Sequence, residues 1–149
     1  MGFVFFYCNA LISWHSKLHS YVTTSTNHTE YVCSAKAARE ARYLQKIFHG
    51  IGLQSAVSPI DLYCDNSGAV AMNLNPVKHD ASKHVDIADH YARELVERGL
   101  ITMTLVGTKD MLADFLTKQL TREHSRDQHT RCGVQYSIPK SLRDKHQSI

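Results

Sequence analysis

The chain lacks the features that mark several common protein classes. Its 149 residues include 4 cysteines, widely spaced and without a C-x-x-C pair. This spacing argues against a disulfide framework or a zinc ribbon, and it is typical of a reducing, intracellular compartment. No apolar run reaches the roughly 20 residues of a membrane helix. The short apolar start at residues 2–7 lacks the basic region and cleavage site of a signal peptide, so we predict a strand there and no membrane partner.

A strong charge of either sign is also lacking. The formal net charge is +3, and its basic excess lies in residues 121–149, which hold 6 Lys/Arg against 3 Asp/Glu. So small an excess is compatible with nucleic acid but does not indicate it. A solvated tail is the simpler interpretation, and a binding arm is the alternative. With 43% hydrophobic and 21% charged residues, the chain has an ordinary globular composition and the length of one domain.

The first half of the chain alternates between strand and helix patterns. Residues 2–7 and 11–24 are rich in β-branched and aromatic side chains, and the short link between them predicts a hairpin. Asn27 and Glu30 have the spacing of a capping box. A helical stripe follows and ends at two glycines: it comprises Tyr31, Ser34, Ala35, Ala38, Ala41, Leu44, Phe48 and Ile51.

The second half continues the alternation. We predict a strand at 60–64, helices at 66–74, 84–98 and 109–120, and a strand at 100–106, with a polar loop at 77–83. After Leu120 the periodicity fades, so residues 123–149 are expected to be poorly ordered or loosely packed. The predicted order is β-β-α-β-α-α-β-α, which indicates an α/β protein with a mixed sheet flanked by helices.

Three carboxylates stand at the ends of predicted elements beside apolar residues: Glu30, Asp65 and Asp114. A carboxylate near a core must be paired, hydrogen-bonded or metal-bound. A site that gathers three of them needs a cation, and hard oxygen ligands select Mg²⁺ or Mn²⁺. Each acid also has a purely structural interpretation. Glu30 could belong to the capping box, Asp65 could cap the following helix, and Asp114 could be a surface acid near a helix N-terminus.

Several short motifs, taken together, resemble the ribonuclease H domain of copia-type retrotransposon polyproteins. The resemblance covers residues 2 to about 120, in the family's order and with its gaps. Its motifs are Gly2-Phe3-Val4-Phe5-Phe6, Ile12-Ser13-Trp14-x-Ser16-Lys17, Ser25-x-x-x-x-Glu30-Tyr31-Val32, Tyr63-Cys64-Asp65-Asn66, Asn75-Pro76-Val77-x-His79, Lys83-His84-Val85-Asp86-Ile87 and Leu112-Ala113-Asp114-Phe115-Leu116-Thr117-Lys118.

The resemblance implies a ribonuclease H-like fold at 2–120, with 121–149 as a basic, loosely ordered tail. It implies two-metal hydrolysis of the RNA strand of an RNA–DNA hybrid, with Mg²⁺ or Mn²⁺, and no small-molecule substrate. Glu30, Asp65 and Asp114 match three of the family's four catalytic, metal-binding acids. Lys83 and His84 match a Lys-His motif to which we assign a substrate contact or a structural role. Position and charge suggest phosphate contacts for Lys17 and Lys118, although solvated lysines are the simpler interpretation.

The family's first strand, which carries the fourth acid, precedes the strand at 2–7, and this chain begins after it. By resemblance that strand is central, between the strands at 2–7 and 60–64. We therefore expect a sheet without its middle strand and weak or absent hydrolysis. The upstream reverse transcriptase region is an expected partner. The alternatives are a nucleic-acid-binding remnant without catalysis and a non-functional transposon fragment; a zinc-binding regulator is the least favoured.

Overall fold

The computed structural model describes residues 1–17, 26–53, 59–74 and 90–134. Within these ranges the chain is a mixed α/β protein with four α-helices and two small sheets. No helix in the described ranges is both long and apolar enough to cross a bilayer. The elements in chain order are β1 (Gly2–Tyr7), β2 (Ala10–Ser16), α1 (Thr26–Gly50), β3 (Ile60–Cys64), α2 (Ser67–Leu74), α3 (Tyr91–Glu97), β4 (Ile101–Leu105), two 3₁₀ helices (Thr108–Asp110 and Leu112–Leu116) and α4 (Arg122–Arg131).

The predicted N-terminal hairpin is confirmed. Strands β1 and β2 pair in antiparallel fashion, with a register irregularity between Phe5 and Phe6. Cys8 and Asn9 connect them with φ values of 48° and 62°. Two consecutive positive φ values make a turn whose twist matches that of the flanking strands, so two residues close the hairpin. Strand β2 ends at Ser16, and the rest of the predicted strand, from residue 18, lies outside the described residues.

The described residues form two separate pairs of strands, the arrangement expected of a sheet without its middle strand. Strands β3 and β4 are parallel, in register from Ile60 opposite Ile101 to Cys64 opposite Leu105. In the described part of the chain, neither strand is hydrogen-bonded to β1 or β2. A sheet is continuous only where neighbouring strands share a ladder of backbone hydrogen bonds, and here β1 and β3 face each other across a groove instead.

Helix α1 supplies the core that joins the two sheets. Its predicted stripe is confirmed at Ala38, Ala41 and Leu44, which pack in one buried cluster with residues of both sheets and of α2 and α3. The cluster also contains Phe5, Leu62, Val70, Ala92, Leu95, Ile101 and Met103. The helix ends at Gly50, and Ile51 is 64% exposed. The prediction that Ile51 belongs to the buried stripe is therefore wrong, because the helical period stops one residue before it.

The predicted helices in the second half are only partly present. The prediction of an α-helix at 109–120 is wrong, since that stretch forms two 3₁₀ helices separated by Met111, whose backbone is extended at φ −74° and ψ 95°. Apolar residues three and four positions apart suit both helix types, so the spacing did not distinguish them. Of the predicted helix at 84–98, the structure describes α3, and residues 75–89 lie outside the described ranges.

Residues 123–149 are expected to be poorly ordered or loosely packed, but residues 123–131 lie in helix α4. Helix α4 begins after Thr121, whose side chain accepts a hydrogen bond from the His124 amide at 3.4 Å. Gln128 is fully buried and donates its side-chain amide to the Met111 carbonyl at 3.1 Å. One buried amide thus attaches this very polar helix to the 3₁₀ segment, a contact that hydrophobic periodicity does not indicate. Residues 135–149 lie outside the described ranges.

Candidate functional site

Asp65 directly follows the carboxyl end of β3, as the sequence predicts. Its neighbour Asn66 caps α2, because the Asn66 side-chain oxygen accepts a hydrogen bond from the Ala69 amide at 2.8 Å. The alternative that Asp65 is the helix cap is therefore wrong. Because Asn66 caps α2, the carboxylate of Asp65 can make other contacts beyond the end of β3. The Asp65 side chain is 19% exposed.

Asp114 lies in the second 3₁₀ helix and is only 5% exposed. The interpretation of Asp114 as a surface acid is therefore wrong. The Ser16 hydroxyl donates a hydrogen bond to the Leu116 carbonyl at 2.7 Å, which fixes this 3₁₀ helix against the end of β2. A buried carboxylate needs a partner to offset its lost hydration, and the partner is a lysine one turn further along the chain.

That partner is Lys118, whose ammonium lies 2.9 Å from the Asp114 carboxylate and 3.4 Å from that of Asp65. Its backbone amide also donates to the Asp114 carbonyl at 2.8 Å, so the local turn orients the side chain toward both acids. Burial alone lowers the pKa of Lys118, but the hydrogen bond to Asp114 and the charges of Asp114 and Asp65 outweigh it and leave the pKa raised.

Glu30 completes the group from α1. The helix begins at Thr26, one residue before the predicted cap, so Glu30 lies beyond the first turn and outside a capping box. Burial raises the pKa of Glu30, and the negative charges of Asp65 and, more weakly, Asp114 raise it further. The N-terminal ammonium and Lys118 act in the opposite direction. The three predicted acids, far apart in sequence, therefore share one electrostatic neighbourhood.

The acids lie at one end of the groove between the two sheets. The groove encloses about 670 Å³, and its walls include every residue of β1 and β3. Cys33 of α1 donates its thiol hydrogen to the Gly2 carbonyl at 3.5 Å and lies close enough to Cys64 to interact electrostatically with it. The start of β1 and the end of β3 thus meet at the same end, so the two strands run in opposite directions along the groove.

The present arrangement does not fit a pair of metal ions. Among the residues that the structure describes, no three His, Cys, Asp or Glu side chains form a group able to hold a metal. The cation that Asp65 and Asp114 share is the Lys118 ammonium. The donor set is of the hard oxygen type that suits Mg²⁺, but the geometry is that of a salt bridge. No catalytic step through a metal follows from this arrangement.

Of the four residues predicted to contact nucleic acid, the structure describes Lys17 and Lys118. Lys17 is exposed just beyond β2, where its backbone exchanges two hydrogen bonds of 3.1 Å with Met1. Lys83 and His84 lie outside the described residues. Lys118, predicted as a phosphate contact, is the counterion of two acids. A lysine four residues after an acid is a local signal for such a pair, whereas its contact with Asp65 has no local signal.

Sequence reasoning missed Cys33 as part of this neighbourhood. Burial, followed by the charge of Glu30, raises the pKa of the Cys33 thiol to about 11. Cys33 follows Glu30 by three positions, so both side chains point from the same face of α1. That spacing was the available signal, but it acquires meaning only when the groove is known to lie over this face.

Comparison with known proteins relates the chain to mobile elements of plants. It is 33% identical over 140 residues to the retrovirus-related Pol polyprotein from transposon RE2 of Arabidopsis thaliana, a match covering 94% of this chain and 10% of that protein. It is 33% identical over 133 residues to the corresponding polyprotein from transposon RE1 of Arabidopsis thaliana, covering 89% and 9%.

A third relative comes from another plant. The chain is 31% identical over 121 residues to the retrovirus-related Pol polyprotein from transposon TNT 1-94 of Nicotiana tabacum, covering 81% of this chain and 9% of that protein. The chain therefore spans about a tenth of the length of these relatives. No family model and no solved structure matches it. The chain therefore belongs to the family of retrovirus-related Pol polyproteins of plant transposons.

Proposed function

We propose that the chain is the ribonuclease H-like region of a copia-type retrotransposon Pol polyprotein. The corresponding reaction is metal-dependent hydrolysis of the RNA strand of an RNA–DNA hybrid. The observation that carries the proposal is the convergence of Glu30, Asp65 and Asp114 at one end of the groove, in a chain similar to Pol polyproteins. The proposed partners are the hybrid and the reverse transcriptase part of the same polyprotein, in an intracellular setting.

We further propose that this chain hydrolyses hybrids weakly or not at all. Carboxylates gathered at one point need a positive charge between them. In the proposed function Glu30, Asp65 and Asp114 would hold Mg²⁺ or Mn²⁺, which would supply that charge and the activation of a water. Here the Lys118 ammonium already forms ion pairs with both Asp65 and Asp114, and the described residues offer no three-ligand metal group. An ion would have to displace the lysine before it could bind.

The experiment that tests hydrolysis uses the full 149-residue chain and a hybrid whose RNA strand carries a 5′ label. The matched control is Asp65→Asn, which removes one carboxylate charge at nearly constant volume. With Mg²⁺ or Mn²⁺, we expect no more product from the chain than from this variant. Cleavage that depends on the metal and disappears in Asp65→Asn and Asp114→Asn would support the proposed reaction and contradict its weakness.

A nucleic-acid-binding role without catalysis is the second candidate. It is favoured by the engagement of Lys118 as an internal counterion, which offsets part of the negative charge of Asp65 and Asp114 without a metal. Fluorescence anisotropy of a labelled hybrid, measured with EDTA present, tests this role. Binding through phosphates should weaken linearly on a log–log plot against salt, and Lys17→Ala should reduce the slope. Absence of binding at low salt would exclude this candidate.

A further inference from the structure

One face of helix α1 carries a row of basic side chains that the acidic site does not use. Its members follow one another at spacings of three, four and three residues, which places them on one face of the helix: they are Arg39, Arg42, Lys46 and His49. Arg39, Lys46 and His49 are exposed, and Arg42 is half-buried. The row extends over about 15 Å of the helix axis. These four residues are called the basic face of α1 below.

The basic face points away from the acidic end of the groove. Glu30, Cys33 and Ala37 are among the residues of α1 that line the groove. At 3.6 residues per turn, Lys46 lies roughly 160° around the helix from Glu30 and about 24 Å further along its axis. A molecule bound to the basic face is therefore separated from Glu30 by the body of the helix.

The positive charge of this face is not consumed by the fold. In the described ranges, no carboxylate lies within ion-pair distance of Arg42 or Lys46. Arg42 donates a hydrogen bond to the side-chain oxygen of Gln45 at 3.1 Å, and Gln45 donates to the Leu100 carbonyl at 2.8 Å. These partners are uncharged, so they orient the guanidinium of Arg42 and leave its charge in place.

The contacts on either side of the basic face preserve this arrangement. The Arg39 guanidinium lies 5.8 Å from the centre of the Tyr91 ring, which holds the arginine beside α3. Glu40, the acid within this stretch of α1, accepts a hydrogen bond from the Ser13 hydroxyl at 2.6 Å. Glu40 is therefore directed toward the hairpin, and the charges of Arg42 and Lys46 face solvent without it.

An exposed aromatic ring lies among these cations. Tyr43 is 59% exposed, and it follows Arg39 by four positions and precedes Lys46 by three, the spacings at which helical side chains are neighbours. Cations bind phosphates, and an aromatic ring offers a flat surface on which a base can stack. The bases of a single strand are free to stack on a side chain, whereas those of a duplex stack on one another. The combination thus favours a single strand.

We propose that the basic face of α1, together with Tyr43, binds single-stranded nucleic acid. Arg42 and Lys46 contact phosphates of the strand, and the Tyr43 ring stacks on an unpaired base. The proposal rests on the proposed function for the choice of nucleic acid as the polyanion. It goes beyond that function because this site lies apart from the acids, so the strand is held there without being cleaved.

The test measures the fluorescence anisotropy of a labelled thymidine oligonucleotide with the full chain, with EDTA present. A length of about 12 nucleotides lies within the usual range of single-strand sites. The matched ligand is an abasic strand of the same length, which keeps the phosphates and lacks the bases. We expect about fivefold or greater preference for the thymidine strand, the minimum that one base–aromatic stack contributes. Tyr43→Leu should remove this preference and leave binding of the abasic strand unchanged.

The phosphate contacts are tested by the double variant Arg42→Gln/Lys46→Gln. Its control is Lys109→Gln/Arg122→Gln, which removes two exposed cations elsewhere on the chain. Loss of two phosphate contacts should reduce the slope of log affinity against log salt by about 1.4, and the control should leave it unchanged. Lys46→Gln alone should reduce the slope by about 0.7, and it provides the same test if loss of Arg42 destabilises the fold.

Strand binding and hybrid hydrolysis are separate readouts. Asp65→Asn should bind the thymidine strand as tightly as the parent chain, because the acid lies on the other side of α1. A chain that binds the strand and shows no affinity for a hybrid would refute the proposed function and retain this site. A chain that cleaves a hybrid and binds no single strand would refute this site alone.

Four other results would also overturn the proposal. Equal affinity for the thymidine and abasic strands would mean that no base is stacked. Equal salt slopes in the two double variants would mean that the cations of α1 make no phosphate contacts. Tighter binding of the corresponding duplex, unchanged by Tyr43→Leu, would assign the face to duplex phosphates. Binding to phosphatidylserine vesicles without binding to the strand would assign it to a lipid surface.

Discussion

Replacing Lys118 with methionine removes the cation that, among the described residues, contacts both Asp65 and Asp114, while keeping most of the side-chain volume. The Asp114 side chain is 8% exposed and the Lys118 side chain is 48% exposed. The pair therefore lies between a fully exposed ion pair and a fully buried one. Exposed ion pairs contribute about 0.2–1 kcal/mol, and breaking a buried pair costs about 3–5 kcal/mol. We expect Lys118→Met to lower the free energy of unfolding by about 1–3 kcal/mol, because it leaves two neighbouring carboxylates uncompensated.

The assay is urea unfolding of the chain, followed by circular dichroism at neutral pH. Lys109→Met is the matched control, since Lys109 is an exposed lysine in the preceding 3₁₀ helix; it should change stability by no more than about 0.5 kcal/mol. Adding Asp114→Asn to Lys118→Met should recover much of the loss, because the buried charge is then absent as well. Equal stability of the Lys118 and Lys109 variants would refute the role of this ion pair.

The same pair has a defined pH dependence. The folded chain raises the pKa of Lys118 above its ordinary value of 10.5. A raised lysine pKa means that the ion pair contributes its full stability below the unfolded value and loses it as the pH rises through the folded value. The difference between the parent chain and Lys118→Met should therefore be constant near neutral pH and narrow above pH 10.5.

Three further predictions concern the same neighbourhood. In Lys118→Met, 10 mM Mg²⁺ should stabilise the chain by about 1.4 kcal/mol if the ion binds with a Kd of about 1 mM; an equal effect of Mg²⁺ on the parent chain would contradict the idea that the ammonium excludes the ion. Glu30→Gln should raise the Tm at pH 7, since the raised pKa of Glu30 means that its ionised form destabilises the fold, and the gain should vanish below pH 4.5; a gain that persists there would have another cause. At pH 8, iodoacetamide should modify exposed Cys8 in the native chain and reach buried Cys33, whose pKa is about 11, only on unfolding; mass spectrometry showing equal rates would contradict the burial of Cys33.

Much of the local structure could be predicted because it depends on residues close together in the chain. The buried face of α1 follows from small side chains at helical spacing, of which Ala35, Ala38 and Ala41 are fully buried. The hairpin follows from two strand-like runs with a two-residue turn between them. A period of 3.6 residues in the helix, or of 2 residues in the strands, determines which side chains share a face. That period is sufficient to predict both elements.

Prediction failed where a few distant contacts decide between similar local patterns. Around Met111 the same apolar spacing suits an α-helix and two 3₁₀ helices, and packing against β1 and β2 selects the latter. In α4 every residue is polar, so hydrophobic periodicity gives no signal. The buried amide of Gln128, bonded to the Met111 carbonyl, and the ring contact of Phe115 with His129 at 4.9 Å hold the helix in place.

The sequence by itself determined which side chains could form a charged site, since Glu30, Asp65 and Asp114 each stand beside apolar residues at an element end or in an apolar helix. The resemblance then supplied the expected chemistry. Only the tertiary structure decided that, among the described residues, Lys118 is the cation that Asp65 and Asp114 share, and that the three acids lie at one end of a groove lined by β1 and β3. The physical reason is that a periodic pattern specifies one face of one element. Charge pairing and strand pairing depend on contacts between residues that are tens of positions apart.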